Sequence, residues 1–460
     1  MNVKEAKSCN GKTIFICAWL FLGTQIFMAN GQILNMGPIT MSHSSSYIQG
    51  LSCITKYFKI GGGLPQYIDA PFAPIKYSST QNKCILFGAW GTDQYIGTPA
   101  KPIQTWILPG GETGSNLNAS AWGNWNTSVF GTNAFYNSKQ PFILSIYRDT
   151  LTTSYGLLGI VHYEQVDMSS PKADKADNYP YRIYSIGLAY SFNNGGFWWY
   201  LGDIITPWAQ SAEASIQNDN DLASKWTCEY NIDGGAYIIN PTKDSMYIYY
   251  SEAPKTTDDM NKVCYISFAR AKLSNVLSHA RTLASLSNIQ GDWKKYNVAG
   301  DVPATGANCG IGSQVIKLPT ATGGGGQGCN KAVYSSYAKE YYMLTHGWIN
   351  GDTGPSLLMS SSSNGISWSM TGIIDYAYNP SPTTYSPGDV TYAFISALPN
   401  DPSAAYDFHQ VGQVFYVHYL KYSAYSNPNG TTKAPGHDFY YRTVTLYPDI
   451  SPIVYPFFQY

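Results

Sequence analysis

Histidine, glutamate and tryptophan side chains recur at the ends of short apolar runs in this 460-residue chain. One run ends with His162 and Glu164, a second with His346 and Trp348, and a third contains His418. Alternate residues of a strand share a face, so His162 and Glu164 would point the same way. Histidine can bond a sugar hydroxyl or position a carboxylate, and tryptophan stacks on sugar rings. These residue types therefore favour a carbohydrate site.

Carboxylates stand where other apolar runs begin. Asp69 precedes one run, Glu229 and Asp233 precede another and Asp389 precedes a third, whereas Gln140 holds the corresponding place in a fourth. Cleavage of a glycosidic bond needs one carboxyl group that protonates the leaving oxygen. A second must attack, or activate a water, from the opposite face of the sugar. The chain therefore has the residue types for glycoside hydrolysis, provided that the fold brings them together.

The surroundings of these carboxylates suggest a division of roles. Glu164 follows Tyr163 in an apolar run, which favours the protonated carboxyl group that a general acid requires. Asp69 would be the base or nucleophile, and Glu229 or Asp233 the orienting carboxylate. The substrate-binding set would be His162, Trp90, His346, Trp348, His418 and Asp389.

Each of these residues also has a structural interpretation. Asp69 stands before Ala-Pro and Asp233 before two glycines, so either could simply cap a turn. His346 and His418 could be satisfied histidines of the core. Glu229 adjoins Cys228 and could only flank a disulfide. The arrangement of these residues in space decides between the two interpretations.

Short strands dominate the sequence. Helical periodicity is confined to 273–287, and most of the rest alternates runs of Tyr, Ile, Val, Phe and Trp with turns of Gly, Asn, Ser and Pro. The strands form five groups, which predicts an all-β fold, a five-bladed β-propeller with four-stranded blades. The fifth group lacks a strand, which 32–41 could supply to close the ring. A six-bladed propeller and a β-sandwich with a second β domain are the alternatives.

Two turns support the propeller. SFNNGGFWW, at 191–199, fits the Asp-box pattern Ser-x-Asp/Asn-x-Gly-x-x-Trp. A second copy, SSSSNGISW, has Ser361, Gly365 and Trp368 in register, but Ser363 stands where Asp or Asn is expected. In Asp-box proteins the motif closes the hairpin between the third and fourth strands of a blade. Both copies precede a hydrophobic strand, as this placement requires.

The propeller geometry would gather the candidate residues at one place. The first strand of a blade starts at one rim of the central channel, and the antiparallel second strand returns to that rim. First-strand starts and second-strand ends therefore meet at a common mouth. The same rule places Trp90 and Glu252 there.

Charge and composition exclude several classes of protein. The chain has 28 basic and 29 acidic residues, so it lacks the strong field that would hold nucleic acid or an anionic membrane surface. Its hydrophobic fraction of 44% is enough for a large core and argues against disorder. A composition rich in Tyr and Gly with few charges is typical of extracellular all-β proteins. It excludes a coiled coil, a helical bundle and a collagen.

The N-terminus predicts secretion. An apolar run, TIFICAWLFLGTQIFM at 13–28, follows a lysine-containing start and is short for a membrane span. Small residues at 29–31 suit a signal peptidase. We therefore predict a signal peptide at 1–31 and a single propeller domain at 32–460, with no membrane association after cleavage. An uncleaved anchor is the alternative.

Six cysteines would remain after cleavage, and an even number in a secreted chain suggests disulfides. Nearest-neighbour pairing would join 53 to 84, 228 to 264 and 309 to 329. Neither a Cys-x-x-Cys pair nor a Cys/His cluster is present, so no metal site is expected. Sequons at Asn118, Asn126 and Asn429 predict a glycoprotein.

Two longer segments carry a family resemblance. LLGIVHYEQ, followed by YSIGLAYSFNNGGFWWYLGDII, resembles the second blade of five-bladed propeller glycoside hydrolases of the arabinanase, xylosidase and fructosidase type. CYISFARAKLSNVL, followed by GDWKKYN, is similar to their third blade and the helix after it. The resemblance covers roughly residues 60–420.

The resemblance implies three carboxylates, at the first-strand starts of blades one, two and three. Asp69 matches the first, and Glu229 or Asp233 matches the third. The second departs from the pattern, because Gln140 stands where Asp is expected, and Glu164 would have to take over its role. A central Ca²⁺ can occur in such propellers. The Asp boxes also resemble sialidases, but a sialidase needs three arginines around its substrate, and the Arg-Ile-Pro motif is absent.

Together these observations predict a secreted, monomeric glycoside hydrolase-like propeller that binds a neutral carbohydrate and needs no cofactor. The alternative is a non-catalytic carbohydrate-binding or cell-surface propeller, which Gln140 favours. A Tyr-rich structural matrix protein is a third interpretation. Sugar, linkage and stereochemical outcome are left open, since the last depends on the carboxylate separation.

Overall fold

The structure of the protein is a computed structural model. It describes residues 25–29, 32–41, 73–76, 82–86, 104–107, 124–125, 139–150, 156–167, 181–192, 197–207, 232–252, 265–305, 309–316, 329–347, 356–375, 390–398, 401–426 and 433–447. In several of the strands, only the backbone is described.

The described residues form mainly strands, with two short helices. The first strands are β1 Gln25–Ala29, β2 Gln32–Met41, β3 Ala73–Lys76, β4 Asn82–Leu86, β5 Gln104–Ile107, β6 Asn124–Trp125, β7 Lys139–Asp149, β8 Gly156–Asp167, β9 Tyr181–Ser191, β10 Phe197–Ile205, β11 Asp233–Ile239, β12 Ser245–Glu252 and β13 Tyr265–Lys272. The helices are α1 Leu273–Thr282 and α2 Leu286–Gly291. The remaining strands are β14 Lys294–Lys295, β15 Val302–Pro303, β16 Cys329–Ser335, β17 Glu340–Gly347, β18 Ser356–Ser362, β19 Ser369–Asp375, β20 Val390–Ala397, β21 Gln410–Val411, β22 Val414–Ser426 and β23 Lys433–Tyr447.

Among the residues that the structure describes, four five-stranded sheets make four complete blades. Their strand orders are β6-β10-β9-β8-β7, β11-β12-β13-β14-β15, β19-β18-β17-β16-β21 and β1-β2-β23-β22-β20. We name each after its innermost strand, as the β7, β11, β16 and β20 blades. In the described part of the first predicted strand group, the sheet is the three-stranded β3-β4-β5. The prediction of five four-stranded blades was therefore wrong, both in the number of complete blades and in their strand number.

The sheets are arranged as a β-propeller. Contacts link β3 to β7, β7 to β11, β11 to β16, β16 to β20 and β20 back to β3, so the innermost strands follow one another around a ring. Neighbouring inner strands run the same way. Gly235 of β11 faces Leu144 of β7, and two residues further on the Tyr237 hydroxyl donates to the carbonyl of Ile146. The all-β propeller class is thus confirmed.

Extra strands explain the departure from four-stranded blades. β6, from the first predicted group, pairs in parallel with β10 and so joins the β7 blade instead of its own sheet. β21 adds a parallel edge to β16. β2 pairs with β23, which confirms that 32–41 supplies the strand missing from the last group.

The core lies between the blades. A strand that is packed on both faces must be apolar on both faces, and strands of this kind are found here. β18 is buried along its whole length, and β12 is buried at every position after its first residue. Large aromatic side chains fill the spaces, and Trp198, Trp293 and Tyr249 are fully buried. This packing accounts for the high Tyr and Trp content of the chain.

The second Asp box closes the β18–β19 hairpin, between the third and fourth strands of the β16 blade, as predicted. Gly365 has φ of +74°, and its carbonyl accepts hydrogen bonds from the Tyr249 hydroxyl and from the Trp368 indole nitrogen. Asn364 Oδ1 accepts from the backbone nitrogens of 366 and 367 at 2.8 and 2.9 Å. The motif's Asp or Asn was expected at position 363, which is a serine. The amide acceptor is instead Asn364, one position later.

The predicted helical segment, 273–287, forms two helices rather than one. α1 ends at Thr282, and its C-cap residue Leu283 has a φ of +50°, in the left-handed region. Arg281 of α1 forms an ion pair with Asp149, the buried last residue of β7. This contact joins the helix of the β11 blade to the β7 blade.

Several expectations about processing lie outside the described residues, including all three sequons and Cys53, Cys228 and Cys264. Residues 25–29 of the apolar N-terminal run form β1, paired with β2. Cys309 has a free thiol, which donates to the carbonyl of Pro207, so the expected 309–329 disulfide is not formed. In the part of the chain that the structure describes, no helix is long and apolar enough to cross a membrane.

Candidate functional site

Asp233 begins β11 and is held out from the strand by its glycine neighbours. Gly234 and Gly235 have φ of +132° and +138°, and β11 carries a bulge between Gly234 and Ala236. A Cβ at Gly235 would lie 2.9 Å from Leu144 Cδ1, so close packing also requires glycine there. The Asp233 side chain is 62% exposed. The double glycine thus projects the Asp233 side chain from a buried inner strand.

The backbone around Asp233 is fixed from two sides. The hydroxyl of Ser251 on β12 donates to the Asp233 carbonyl at 3.1 Å. The preceding backbone nitrogen, of Ile232, donates to the carbonyl of Tyr184 on β9 at 3.2 Å. The β7 and β11 blades therefore both position this residue.

His162 on β8 faces Asp233 from the β7 blade. Its Nδ1 lies 3.8 Å from Asp233 Oδ1, which is beyond hydrogen-bond length but close enough for electrostatic interaction. The imidazole is nearly buried, and its ring packs edge-on against Tyr184 with centroids 5.0 Å apart. The ring is thus oriented by packing.

His346 lies one residue before the end of β17, in the β16 blade. Burial lowers the pKa of His346 to about 4, although the negative charge of Asp233 acts to raise it. The imidazole is therefore neutral at neutral pH and can both donate and accept a hydrogen bond. Asp233 thus interacts with histidines from the blades on either side of its own.

The structure brings together three of the predicted residues: Asp233, His162 and His346. His418 lies elsewhere, in the middle of β22, and is 1% exposed. Its Nε2 lies 2.9 Å from Ser396 Oγ, and its ring stacks on Phe394. Burial lowers its pKa to about 3. His418 is thus a neutral core histidine, so the expectation that it binds sugar is corrected.

The other site predictions rest on residues whose side chains the structure does not describe. Glu164 follows His162 by two positions on β8, and its backbone pairs with that of Gln140 on one side. Outside the described residues lie Asp69, Trp90, Glu229, Trp348 and Asp389.

Glu252 ends β12 close to Asp233, as the strand rule predicts, but it is sealed from the mouth. Its Oε2 accepts a hydrogen bond from Lys295 Nζ at 2.8 Å, and both side chains are fully buried. Its Oε1 accepts from the hydroxyl of Tyr250 and from the backbone nitrogen of Gly312. The sequence did not reveal Lys295 as the partner, because 43 residues separate the pair.

A fully buried lysine lies on the inner strand β16. The Nζ of this residue, Lys331, lies 5.1 Å from the ring centroid of Tyr237 on the neighbouring inner strand β11. Within the described ranges, no group of three or more His, Cys, Asp or Glu could hold a metal ion.

The chemistry available at the Asp233 mouth is the binding of hydroxyl-rich molecules. The carboxylate accepts hydrogen bonds, and a neutral imidazole can both donate and accept one. A lone carboxylate does not hydrolyse a glycosidic bond by the paired mechanism, so a second one must come from a residue such as Glu164 or Asp69.

Comparisons with known proteins return glycoside hydrolases among solved structures. The catalytic domain of Coprinopsis cinerea GH62 α-L-arabinofuranosidase is 10% identical, with 82% of this chain and 92% of that chain covered at a TM-score of 0.38. Endo-arabinase from Bacteroides thetaiotaomicron is 10% identical, with 81% and 96% covered at 0.35. Exo-inulinase from Aspergillus awamori is 11% identical, with 86% and 64% covered at 0.41.

No protein-family model matches the sequence. No curated protein gives a significant match either. The solved structures named above are of the enzyme class that the sequence resembles. Their TM-scores all lie below 0.5.

Proposed function

We propose that this protein is a β-propeller that acts on a neutral glycan at the mouth formed by Asp233, His162 and His346. The observation that carries the proposal is the convergence of these three side chains from three successive blades. A carboxylate beside a neutral imidazole suits sugar hydroxyls. None of these three residues is a lysine or arginine that would pair with the charge of an acidic sugar.

We further propose that the action is hydrolysis by paired carboxylates, which needs no cofactor. Glu164 would protonate the leaving oxygen, Asp69 would be the base or nucleophile, and Asp233 or Glu229 would orient them. Two facts support Glu164: it shares the strand and alternation of His162, and its backbone lies beside Gln140, where the resemblance expects a carboxylate. Trp90, Trp348 and Asp389 would extend the sugar-binding surface.

The second candidate function is glycan binding without turnover. The observation that favours it is Gln140 at the start of β7, because an amide cannot replace the expected carboxylate in proton transfer. In either case we expect a secreted monomer with glycans on its sequons and with its signal peptide removed at residue 31, which would take the edge strand β1 from the β20 blade.

The test is release of reducing sugar from a panel of polysaccharides and aryl glycosides. We expect release by the parent protein and loss of at least 100-fold in Glu164→Gln, the usual scale for a general acid. Asp301→Asn is the matched control, because Asp301 pairs with Arg270 beside the outer strands of the β11 blade. Release by Glu164→Gln at the parent rate would refute the acid assignment. No release by the parent would leave the binding function.

A further inference from the structure

One segment between β15 and β16, residues 309–316, contacts three blades, and we name it the 309–316 strap. At its start, the Cys309 thiol donates to the carbonyl of Pro207, which follows β10 of the β7 blade. Near its end, the backbone nitrogen of Trp368 in the β16 blade donates to the carbonyl of Val315 at 3.3 Å. The strap therefore links the β7 and β16 blades across the β11 blade that lies between them.

Gly312 of the strap is held by two residues that face each other across β12 and β13. Its backbone nitrogen donates to Glu252 Oε1, and its carbonyl accepts from the Tyr265 hydroxyl at 2.8 Å. Glu252 and Tyr265 are direct partners in the sheet. A Cβ at position 312 would lie 2.1 Å from Ser267 Oγ, so only glycine allows the strap to approach the sheet this closely.

The carboxylate that holds Gly312 is itself fixed. Lys295 Nζ donates to Glu252 Oε2 at 2.8 Å, and neither side chain is exposed. A buried carboxylate that turned away from its donors would lose the hydrogen bonds that offset its burial. Glu252 therefore has little freedom to change its orientation, and the strap is latched to the end of β12 in one geometry.

The end of β12 in turn positions Asp233. Ser251, which precedes Glu252, is the direct backbone partner of Asp233, and its hydroxyl donates to the Asp233 carbonyl at 3.1 Å. The two glycines that follow Asp233 contribute no side-chain packing, so the start of β11 depends on this contact for its position. Displacement of Ser251 would therefore move the Asp233 carboxylate relative to His162, which lies 3.8 Å from it.

We propose that Glu252 is a positioning residue of the Asp233 mouth, which acts by latching the 309–316 strap to the end of β12. The inference rests on the proposed function, because a glycan that bonds to Asp233 and to a histidine of a neighbouring blade requires a fixed separation between them. Glu252 does not contact the glycan, since its side chain is fully buried.

Tyr265→Phe and Tyr341→Phe make a matched pair of variants. Each removes one tyrosine hydroxyl that bonds a backbone carbonyl, at 2.8 Å to Gly312 in the first case and at 2.9 Å to Ile239, the last residue of β11, in the second. Both variants keep the aromatic ring, so the packing is retained. Only Tyr265→Phe loosens the strap, whereas a purely structural role predicts similar effects of the two changes.

Amide hydrogen exchange, measured by mass spectrometry on the full chain without a glycan, tests the coupling of the strap to Asp233. We expect Tyr265→Phe to speed exchange about fivefold both in 309–316 and in 232–236, the scale of one lost hydrogen bond. Tyr341→Phe should leave exchange in both segments unchanged. Faster exchange in 309–316 alone, with 232–236 unchanged, would overturn the proposal.

Binding to an array of neutral glycans measures the consequence at the mouth. Tyr265→Phe and the double variant Glu252→Leu/Lys295→Met should each bind the glycans of the parent about fivefold to tenfold more weakly, and Tyr341→Phe should bind them like the parent. The double variant removes the buried charge together with its partner, so it keeps the fold but offers no acceptor to Gly312.

The outcomes separate this inference from the proposed function. Binding at the parent level by both Tyr265→Phe and the double variant would overturn the positioning role of Glu252. If the parent itself bound no neutral glycan, the proposed function would be contradicted, and hydrogen exchange would still decide whether the strap positions Asp233.

Discussion

Replacement of His418 by Gln should reduce the acid sensitivity of the fold. In the folded protein this imidazole stays neutral down to a pKa of about 3, because it is buried against Phe394 and Ser396. The unfolded chain binds a proton there below a pKa of about 6.5. The folded-state pKa is thus depressed, so the stability contributed by neutral His418 is present above pH 6.5 and is lost as the pH falls from there towards 3.

The magnitude follows from the two pKa values. At pH 4.5 the pH lies about 2 units below the pKa of His418 in the unfolded chain, and each unit corresponds to about 1.4 kcal/mol of proton binding. Protonation of His418 in the unfolded state therefore lowers the free energy of unfolding by about 3 kcal/mol between pH 7 and pH 4.5. Glutamine retains a group near Ser396 Oγ but does not titrate. Urea unfolding followed by tryptophan fluorescence at both pH values measures the loss in the parent and in His418→Gln.

The comparison of the two proteins isolates His418, since all other titrating groups are shared. His279→Gln controls for the removal of any histidine, because His279 is partly exposed on α1. We expect the pH-dependent loss to be about 3 kcal/mol smaller in His418→Gln than in the parent. Equal losses in the two proteins would refute the placement of His418 as a neutral histidine of the core.

Three further changes test the packing that supports the site. Gly365→Ala should destabilise by at least about 1 kcal/mol in urea unfolding, because φ is +74° and the new Cβ would lie 2.3 Å from a buried side chain; unchanged stability would contradict the hairpin geometry. Lys295→Met should lower the free energy of unfolding by about 3–5 kcal/mol, because it leaves Glu252 buried and without its ion-pair partner. Adding Glu252→Leu should recover most of this loss in a double-mutant cycle, and additive losses would argue against the pair. Arg281→Ala should lower the free energy of unfolding by about 2–3 kcal/mol and Asp149→Asn should lower it less, because only the first change leaves a buried carboxylate uncompensated. Thermal melting compares the two variants, and the reverse order of stability would be inconsistent with the contact.

The sequence predicted those parts of the fold that depend on local patterns. Alternating runs of Tyr, Ile and Val identified the strands, and the Ser-Asn-Gly-Ile-Ser-Trp turn identified the hairpin at Gly365. The parallel pairing of Trp125 with Trp198 could not be read from the sequence, because it joins strands about 70 residues apart and leaves no periodic signal. Non-local pairings of this kind, including that of β21 with β16, are why the observed strand number differs from the predicted one.

The sequence predicted part of the candidate site from the rule that first-strand starts and second-strand ends meet at one rim. Asp233 begins β11 and His346 lies one residue before the end of β17, whereas His162 lies inside β8 and faces Asp233. His418 looked equivalent in sequence, but its side chain is buried against Phe394 and Ser396. The neighbours of the side chain, rather than its place in a strand, therefore decide between a site residue and a core residue.

Binding of a neutral-glycan array tests the central proposal most directly, because both hydrolysis and simple recognition require it. The parent protein, Asp233→Asn and the control Asp301→Asn would be applied to the same array. We predict that the parent and Asp301→Asn bind a common set of neutral glycans and that Asp233→Asn loses binding to them at least tenfold. Binding by Asp233→Asn at the parent level, or no neutral glycan bound by the parent, would contradict the assignment of this mouth to a glycan.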